Sequence, residues 1–155
     1  MQSPPENISL PDDVAEDEEL ARIICASSNE NKRKRYAFYF CDNEKKYIIR
    51  TGQFMEDRYP STLSVNRVSS IPVSKAHELG EEWRMSYKPH HVYYGYGELT
   101  AQTCLSVNCK LEKDDLGGEN PFHANILYPY PQKEDNQEIA VELAYKAKFV
   151  QLIKH

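Results

Sequence analysis

Ile139, Leu143, Ala147 and Val150 recur at helical spacing near the end of this 155-residue chain, with Ala140 and Ala144 beside them. A helix that is apolar along one stripe and polar elsewhere must bury that stripe against another element, and this need constrains the fold more than any other stretch. Asp135 and Glu138 have the spacing of a capping box, and Lys146, Lys148 and Lys154 lie where they would complement the negative end of the helix dipole. The pattern predicts a long helix over about 136–153.

The surface for that helix to cover is read from alternation. In Leu63-Ser64-Val65-Asn66, apolar and polar side chains alternate, which predicts a strand with Leu63 and Val65 on one face and Ser64 and Asn66 on the other. Around it stand an early Ile23-Ile24 strand, a glycine-interrupted strand over 92–97, and strands over 109–113 and 123–128, the last ended by Pro129 and Pro131. Glycine inside the 92–97 strand implies a bulge or a close backbone approach. Aromatic and β-branched runs over 36–40 and 46–50, flanking Asp42-Asn43, predict a hairpin. Ser74 as N-cap, followed by Ala76, Leu79 and Trp83, predicts an amphipathic helix to about residue 84, and a shorter helix is expected over 98–106. Asp114 to Pro121 reads as a loop. The expected class is α+β: a single domain with a mixed or mainly antiparallel sheet, packed against a long C-terminal helix and one or two shorter ones.

Charge is uneven along the chain. The first twenty residues carry seven carboxylates and no Lys or Arg, leaving 19 basic against 17 acidic residues elsewhere. A flexible acidic tail over 1–18 is therefore expected ahead of a domain over 19–155. Such a tail either solubilises the chain or docks on a basic partner. No apolar run approaches the ~20 residues that cross a bilayer, and the start lacks the basic and apolar regions of a signal peptide. Four cysteines, at 25, 41, 104 and 109, are too few and too irregular for a disulfide framework. A reduced, cytoplasmic protein with no membrane association is the expectation.

The polar residues that interrupt apolar runs are the candidates for chemistry. Arg22 sits within the first apolar strand, where an inward guanidinium needs a carboxylate or a ligand anion. Ser64, Asn66 and Arg67 follow one another through the central strand; Arg67 falls on its apolar side and is expected to pair with a carboxylate at the strand end, with Asn66 bonded to nearby backbone. His123 opens an apolar strand after a Gly-Gly-Glu-Asn-Pro loop, a place suited to a ligand contact or to a backbone-bonded structural histidine. Ser64 with His123 lacks the third group and the turn that a nucleophilic site requires. Cys104 and Cys109 form one loose pair, where a structural zinc site shows two tight ones, so both read as core thiols and no metal or cofactor is called for. Lys32, Arg33, Lys34 and Arg35 beside the tyrosine-rich hairpin could form a nucleic-acid surface, but a short basic run in an acidic chain reads more simply as a solvated loop.

The order of Ala21-Arg22-Ile23-Ile24, then Leu63-Ser64-Val65-Asn66-Arg67, Gly97-Glu98-Leu99-Thr100-Ala101-Gln102, Asn120-Pro121-Phe122-His123-Ala124-Asn125-Ile126 and a closing Ala-rich helix resembles a group of small, uncharacterised bacterial proteins. The resemblance spans roughly residues 20–150 and implies a bacterial source rather than a mechanism. Two functions are open on these residues. One is a non-catalytic accessory protein that binds a protein partner through the aromatic, basic hairpin or the acidic tail, consistent with an unusual load of 11 tyrosines. The other is an ADP-ribosyltransferase-like enzyme on NAD, with Arg22 on phosphate, the Ser64 strand lining the nicotinamide pocket and Glu98 or Glu82 as the acid. The enzyme requires Arg22, Ser64, Arg67 and His123 to share a cavity; the binding protein does not.

Overall fold

The computed structural model describes residues 13–27, 37–55 and 61–152. Eight strands follow in chain order: β1 (Glu19–Ser27), β2 (Phe38–Cys41), β3 (Lys46–Ile49), β4 (Thr62–Arg67), β5 (His91–Thr100), β6 (Lys110–Lys113), β7 (His123–Leu127) and β8 (Lys148–Gln151). There are three helices, α1 (Val73–Tyr87), α2 (Ala101–Ser106) and α3 (Gln137–Lys146), with 3-10 turns at Thr51–Phe54, between β3 and β4, and at Lys133–Asn136, ahead of α3. Six strands form one antiparallel sheet in the order β6-β7-β4-β1-β5-β8, and β2 with β3 forms a separate hairpin. The structure is thus mixed α/β with an antiparallel sheet and three helices.

Alternation along the strands gives the sheet two apolar faces. Leu20, Ile24, Leu63, Val65, Leu99, Ala124 and Ile126 join Ile49, Phe54 and, from α3, Ala140, Leu143 and Ala144 in one cluster. On the other face Ala21, Ile23, Cys25, Tyr93 and Tyr96 pack under Ala76 and Trp83 of α1. The stripe of α1 therefore covers the β1–β5 half of the sheet, while the hairpin and α3 cover the reverse side.

Glycine 80 lies where α1 crosses the sheet. A Cβ there would stand 2.6 Å from Tyr93 Cε1, and Tyr93 is buried with its hydroxyl 2.9 Å from His77 Nδ1. Gly80→Ala gains roughly 1 kcal/mol of helix propensity. The ring cannot move without breaking its packing, and overpacking of this kind costs about 1–3 kcal/mol. The expected result is a lower melting temperature, read by thermal denaturation, despite the better helix former.

The glycine interruption of β5 is a bulge: the register passes from Ile24↔Gly95 to Cys25↔Tyr93, leaving Tyr94 over. Gly95 has φ +144°, and a Cβ on it would collide with the Val150 carbonyl of β8.

Several expected boundaries shift. The short helix expected over 98–106 is α2 alone; Glu98 to Thr100 remain in β5 opposite β1, and Thr100 Oγ1 caps α2 by accepting from Thr103 N. Ser74 is not an N-cap, since α1 starts at Val73 behind Pro72. Neither does the Asp135–Glu138 capping box form, because Asp135 belongs to the preceding 3-10 turn. Asn136, fully buried there, instead donates to Tyr130 O at 2.9 Å and accepts from Tyr130 N at 3.2 Å. The closing helix expected over 136–153 ends at Lys146, where Ala147 turns extended (φ −70°, ψ 138°), and residues Lys148–Gln151 pair with β5 as an edge strand. Phe149 and Val150 are the two half-buried apolar side chains of this strand. In the strand they point to opposite faces, Phe149 to the α3 cluster and Val150 to the Ala21–Tyr96 cluster.

Candidate functional site

Arg22 occupies a fork in the sheet. β1 and β4 pair only at Leu20↔Arg67 and Ala21↔Asn66. Where the ladder stops, the buried Arg22 donates from Nε to Gln53 O at 2.7 Å and from Nη1 to Ser64 O at 3.0 Å. Gln53, from the 3-10 turn, accepts from Cys25 N through Oε1 at 3.0 Å. Side chains thus supply hydrogen bonds that β4 no longer gives to β1. The Arg22 guanidinium also lies 5.7 Å from the centre of the Trp83 ring. The anion sought for this residue from sequence is replaced, among these contacts, by two carbonyl oxygens and an aromatic face.

Ser64, Asn66, His123 and Asn125 share the sheet face opposite Leu63, Val65, Ala124 and Ile126, because Ser64 pairs with Asn125 and Asn66 with His123. The loop between β6 and β7 is bonded down onto them. Asn120 Nδ2 donates to Asn66 Oδ1 at 2.9 Å, and Asn120 Oδ1 accepts from Phe122 N at 3.0 Å. His123 Nδ1 lies 2.7 Å from Asp114 O; a carbonyl can only accept, so this nitrogen carries the proton. Asn125 Nδ2 donates to Asp114 Oδ2 at 3.2 Å. Asn66 is met by a loop side chain where a backbone partner was expected, a contact across 54 residues that spacing could not reveal.

Arg67 points the other way. Its Nε and Nη2 bind the two carboxylate oxygens of Glu18 at 2.6 and 2.8 Å, with Asp13 O at 3.4 Å, and the side chain is 2% exposed. Burial raises the Glu18 pKa, but hydrogen bonds from Arg67 and the Ala15 N–H, with the guanidinium charge, outweigh it and hold the carboxyl below its usual range. The expected acidic tail therefore divides: residues 1–12 lie outside the described residues, whereas 13–18 are held by this pair, by Glu16 O accepting from Gln102 N and by Val14 against the core. Of the five residues singled out, Arg22 meets Ser64 at the fork, Asn66 and His123 face one loop, and Arg67 stands apart on the reverse face. The cavities beside β6, the hairpin, α3 and α1 are lined by other residues.

The hairpin carries the exposed aromatic surface. Phe38 and Ile49 are buried, but Tyr39, Phe40 and Tyr47 are 40–48% exposed, and Val141 and Tyr145 of α3 are similarly open. Phe40 and Tyr47, opposite one another, make an edge-to-face pair at 5.2 Å. Arg50 lies 4.4 Å from the Tyr39 ring centre and Lys46 5.1 Å from that of Tyr145, whose hydroxyl donates to Glu44 Oε1 at 3.0 Å. A cavity of about 200 Å³ opens between Tyr39, Arg50, Val141 and Tyr145. Lys32, Arg33, Lys34 and Arg35, which precede β2 in sequence, lie outside the described residues. The contribution of α3 was missed in sequence, although Val141 and Tyr145 stand one turn apart, off the apolar stripe.

Cys104 and Cys109 are core thiols; burial pushes both pKa values up, that of Cys109 to about 12. Among the described residues no three His, Cys, Asp or Glu side chains come together as metal ligands, and no helix is long and apolar enough to cross a membrane. No protein-family model, curated protein or solved structure matches the chain.

Proposed function

We propose that this protein is a non-catalytic accessory protein that binds a protein partner through the β2–β3 hairpin and the adjoining face of α3. The observation that carries this reading is the group of half-exposed rings, Tyr39, Phe40, Tyr47 and Tyr145, with Arg50 and Lys46 set over two of them. Aromatic and arginine side chains are the groups that most often dominate binding energy at protein interfaces. Tyr47 packs edge-to-face on Phe38 and Phe40, and Tyr145 is bonded to Glu44, contacts that lower the entropy these side chains lose on docking. The test is a pull-down with the products of neighbouring genes, repeated with Phe40→Ala/Tyr47→Ala. Truncating two such anchors is expected to weaken capture by at least ~30-fold, about 2 kcal/mol. Undiminished capture by a folded double variant would remove the hairpin from the interface.

A second reading, an ADP-ribosyltransferase-like enzyme on NAD, has one observation in its favour. Arg22 and the Ser64 strand come together where the sheet forks, with Glu82 on the neighbouring α1. Against it, Arg67 faces the opposite side, paired with Glu18. Release of nicotinamide from NAD by the purified protein, lost in Glu82→Gln, would favour this reading over the first.

A further inference from the structure

β6 is an outer strand of the six-stranded sheet, and among the described residues no strand pairs with its far side. An open groove of about 620 Å³ runs beside it, lined by residues 110–113 with Asp115 and Leu127. The neighbouring ladder fixes where its backbone groups point. Arg67 N donates to Phe122 O and Tyr128 N to Ser61 O, so even-numbered residues of β7 bond toward β4 and odd-numbered ones toward β6. Glu112 stands opposite Asn125 and Lys110 opposite Leu127, so the N–H and C=O of Leu111 point away from the sheet. The side chains alternate as well. Lys110 and Glu112 are exposed on the face of Asn125, whereas Leu111 is half-buried against the cluster under α3.

An outer strand accepts another strand unless its side chains forbid the approach, and lysines commonly forbid it by repelling those of a second copy. On β6 that repulsion disappears in one arrangement. A second copy of this chain, brought up antiparallel about a two-fold axis at Leu111, sets Lys110 against Glu112 twice and Leu111 against Leu111. The outward N–H and C=O of the two Leu111 residues then meet as a hydrogen-bonded pair. Both Lys–Glu pairs fall at the closer, non-hydrogen-bonded positions beside it. The neighbouring registers fail. An axis at Glu112 opposes glutamate to glutamate, an axis at Lys110 opposes lysine to lysine, and an axis midway between residues 111 and 112 sets outward backbone groups against inward ones. We propose that β6 is a self-association edge through which two copies of this chain join their sheets, with Lys110 and Glu112 selecting the register. This edge lies across the sheet from β8, where Phe149 packs on Phe38 of the hairpin, so the inference does not rest on the hairpin's role.

Sedimentation equilibrium of the full chain should show a reversible, concentration-dependent dimer, weak as befits a short edge. Glu112→Lys turns both attractive pairs into lysine–lysine pairs and should raise the dissociation constant at least ~10-fold, about 1.4 kcal/mol. Lys110→Glu/Glu112→Lys exchanges the signs and should return the constant to near its wild-type value. Both side chains are exposed, so both variants should melt near the wild-type temperature. Hydrogen exchange at the Leu111 amide should slow as the protein concentration rises. A monomer up to ~1 mM, an unweakened dimer in Glu112→Lys, no recovery in the exchanged variant, or a dimer that leaves Leu111 exchange unchanged would each overturn the proposal.

Discussion

Leu143→Asp is expected to abolish cooperative folding. Leu143 is fully buried in α3 within the cluster that includes Phe54 and Ile49. Removing a leucine from such a place costs about 2–5 kcal/mol in lost packing. The aspartate must in addition leave water with no partner provided, a further cost of several kcal/mol unless it takes up a proton. The sum is comparable to the whole stability of a small protein, roughly 5–15 kcal/mol. Val141→Asp on the same helix, at a position 48% exposed, is the control and should melt cooperatively. Circular dichroism melts of both variants decide the matter. A sharp transition for Leu143→Asp near the wild-type temperature would mean that α3 does not dock by this face.

The second large effect is expected at the Glu18–Arg67 pair. Arg67→Ala removes a buried guanidinium bound to both carboxylate oxygens, and Glu18→Gln leaves that guanidinium buried without its counter-charge. Losing one partner of such a pair costs about 2–5 kcal/mol, whereas replacing both with apolar residues can be nearly neutral. Urea denaturation should therefore show each single variant clearly destabilised and Glu18→Met/Arg67→Met closer to wild type. The pair also carries a pH dependence. Because Glu18 is held below its unfolded value near 4.5, its stabilisation is complete above that value and is lost as the pH falls through the lower folded-state pKa. The wild type should lose more stability than Glu18→Gln between pH 5 and pH 3, pH values chosen as rough brackets of an ordinary carboxylate. Unchanged stability in Arg67→Ala, together with a loss of partner binding, would make Arg67 a recognition residue.

What the sequence revealed and what it hid divide along physical lines. Period-2 alternation placed β4 and β6, and the paired aromatic runs placed the hairpin, because each pattern is completed within a few residues. Where a local pattern satisfied two structures, the wrong one was chosen. Val150 continues the apolar stripe of α3 by spacing, yet the chain pairs here with the outer edge of β5, where Phe149 and Val150 reach the two faces of the sheet. Glu98 to Thr100 read as a helix start although they complete the β5 ladder with β1. At the candidate site, alternation placed Arg67 on the apolar face and so implied a carboxylate partner. That partner, Glu18, stands 49 residues away in a stretch whose charge density suggested a solvated tail. Arg22 was correctly marked as an inward polar group, but its carbonyl partners depend on two strands parting, which no spacing encodes.

The position of β1 in the sheet has a consequence for how the chain acquires its structure. Among the described strands β1 comes first in the chain, yet it lies between β4 and β5 and pairs with β4 at only two positions. Its main ladder, from Glu19↔Thr100 to Ser27↔His91, becomes available only when residues 91–100 exist. Until then the apolar Ile23-Ile24 segment has almost no edge to join, and the entropy of closing a loop of that length must be met before any β1–β5 contact repays it. The rate of folding is therefore expected to be set by the encounter of β1 with β5, with the hairpin and α1 forming earlier as local structure. A newly made chain that ends before β5 would present an unpaired apolar strand, the form of this protein most exposed to aggregation.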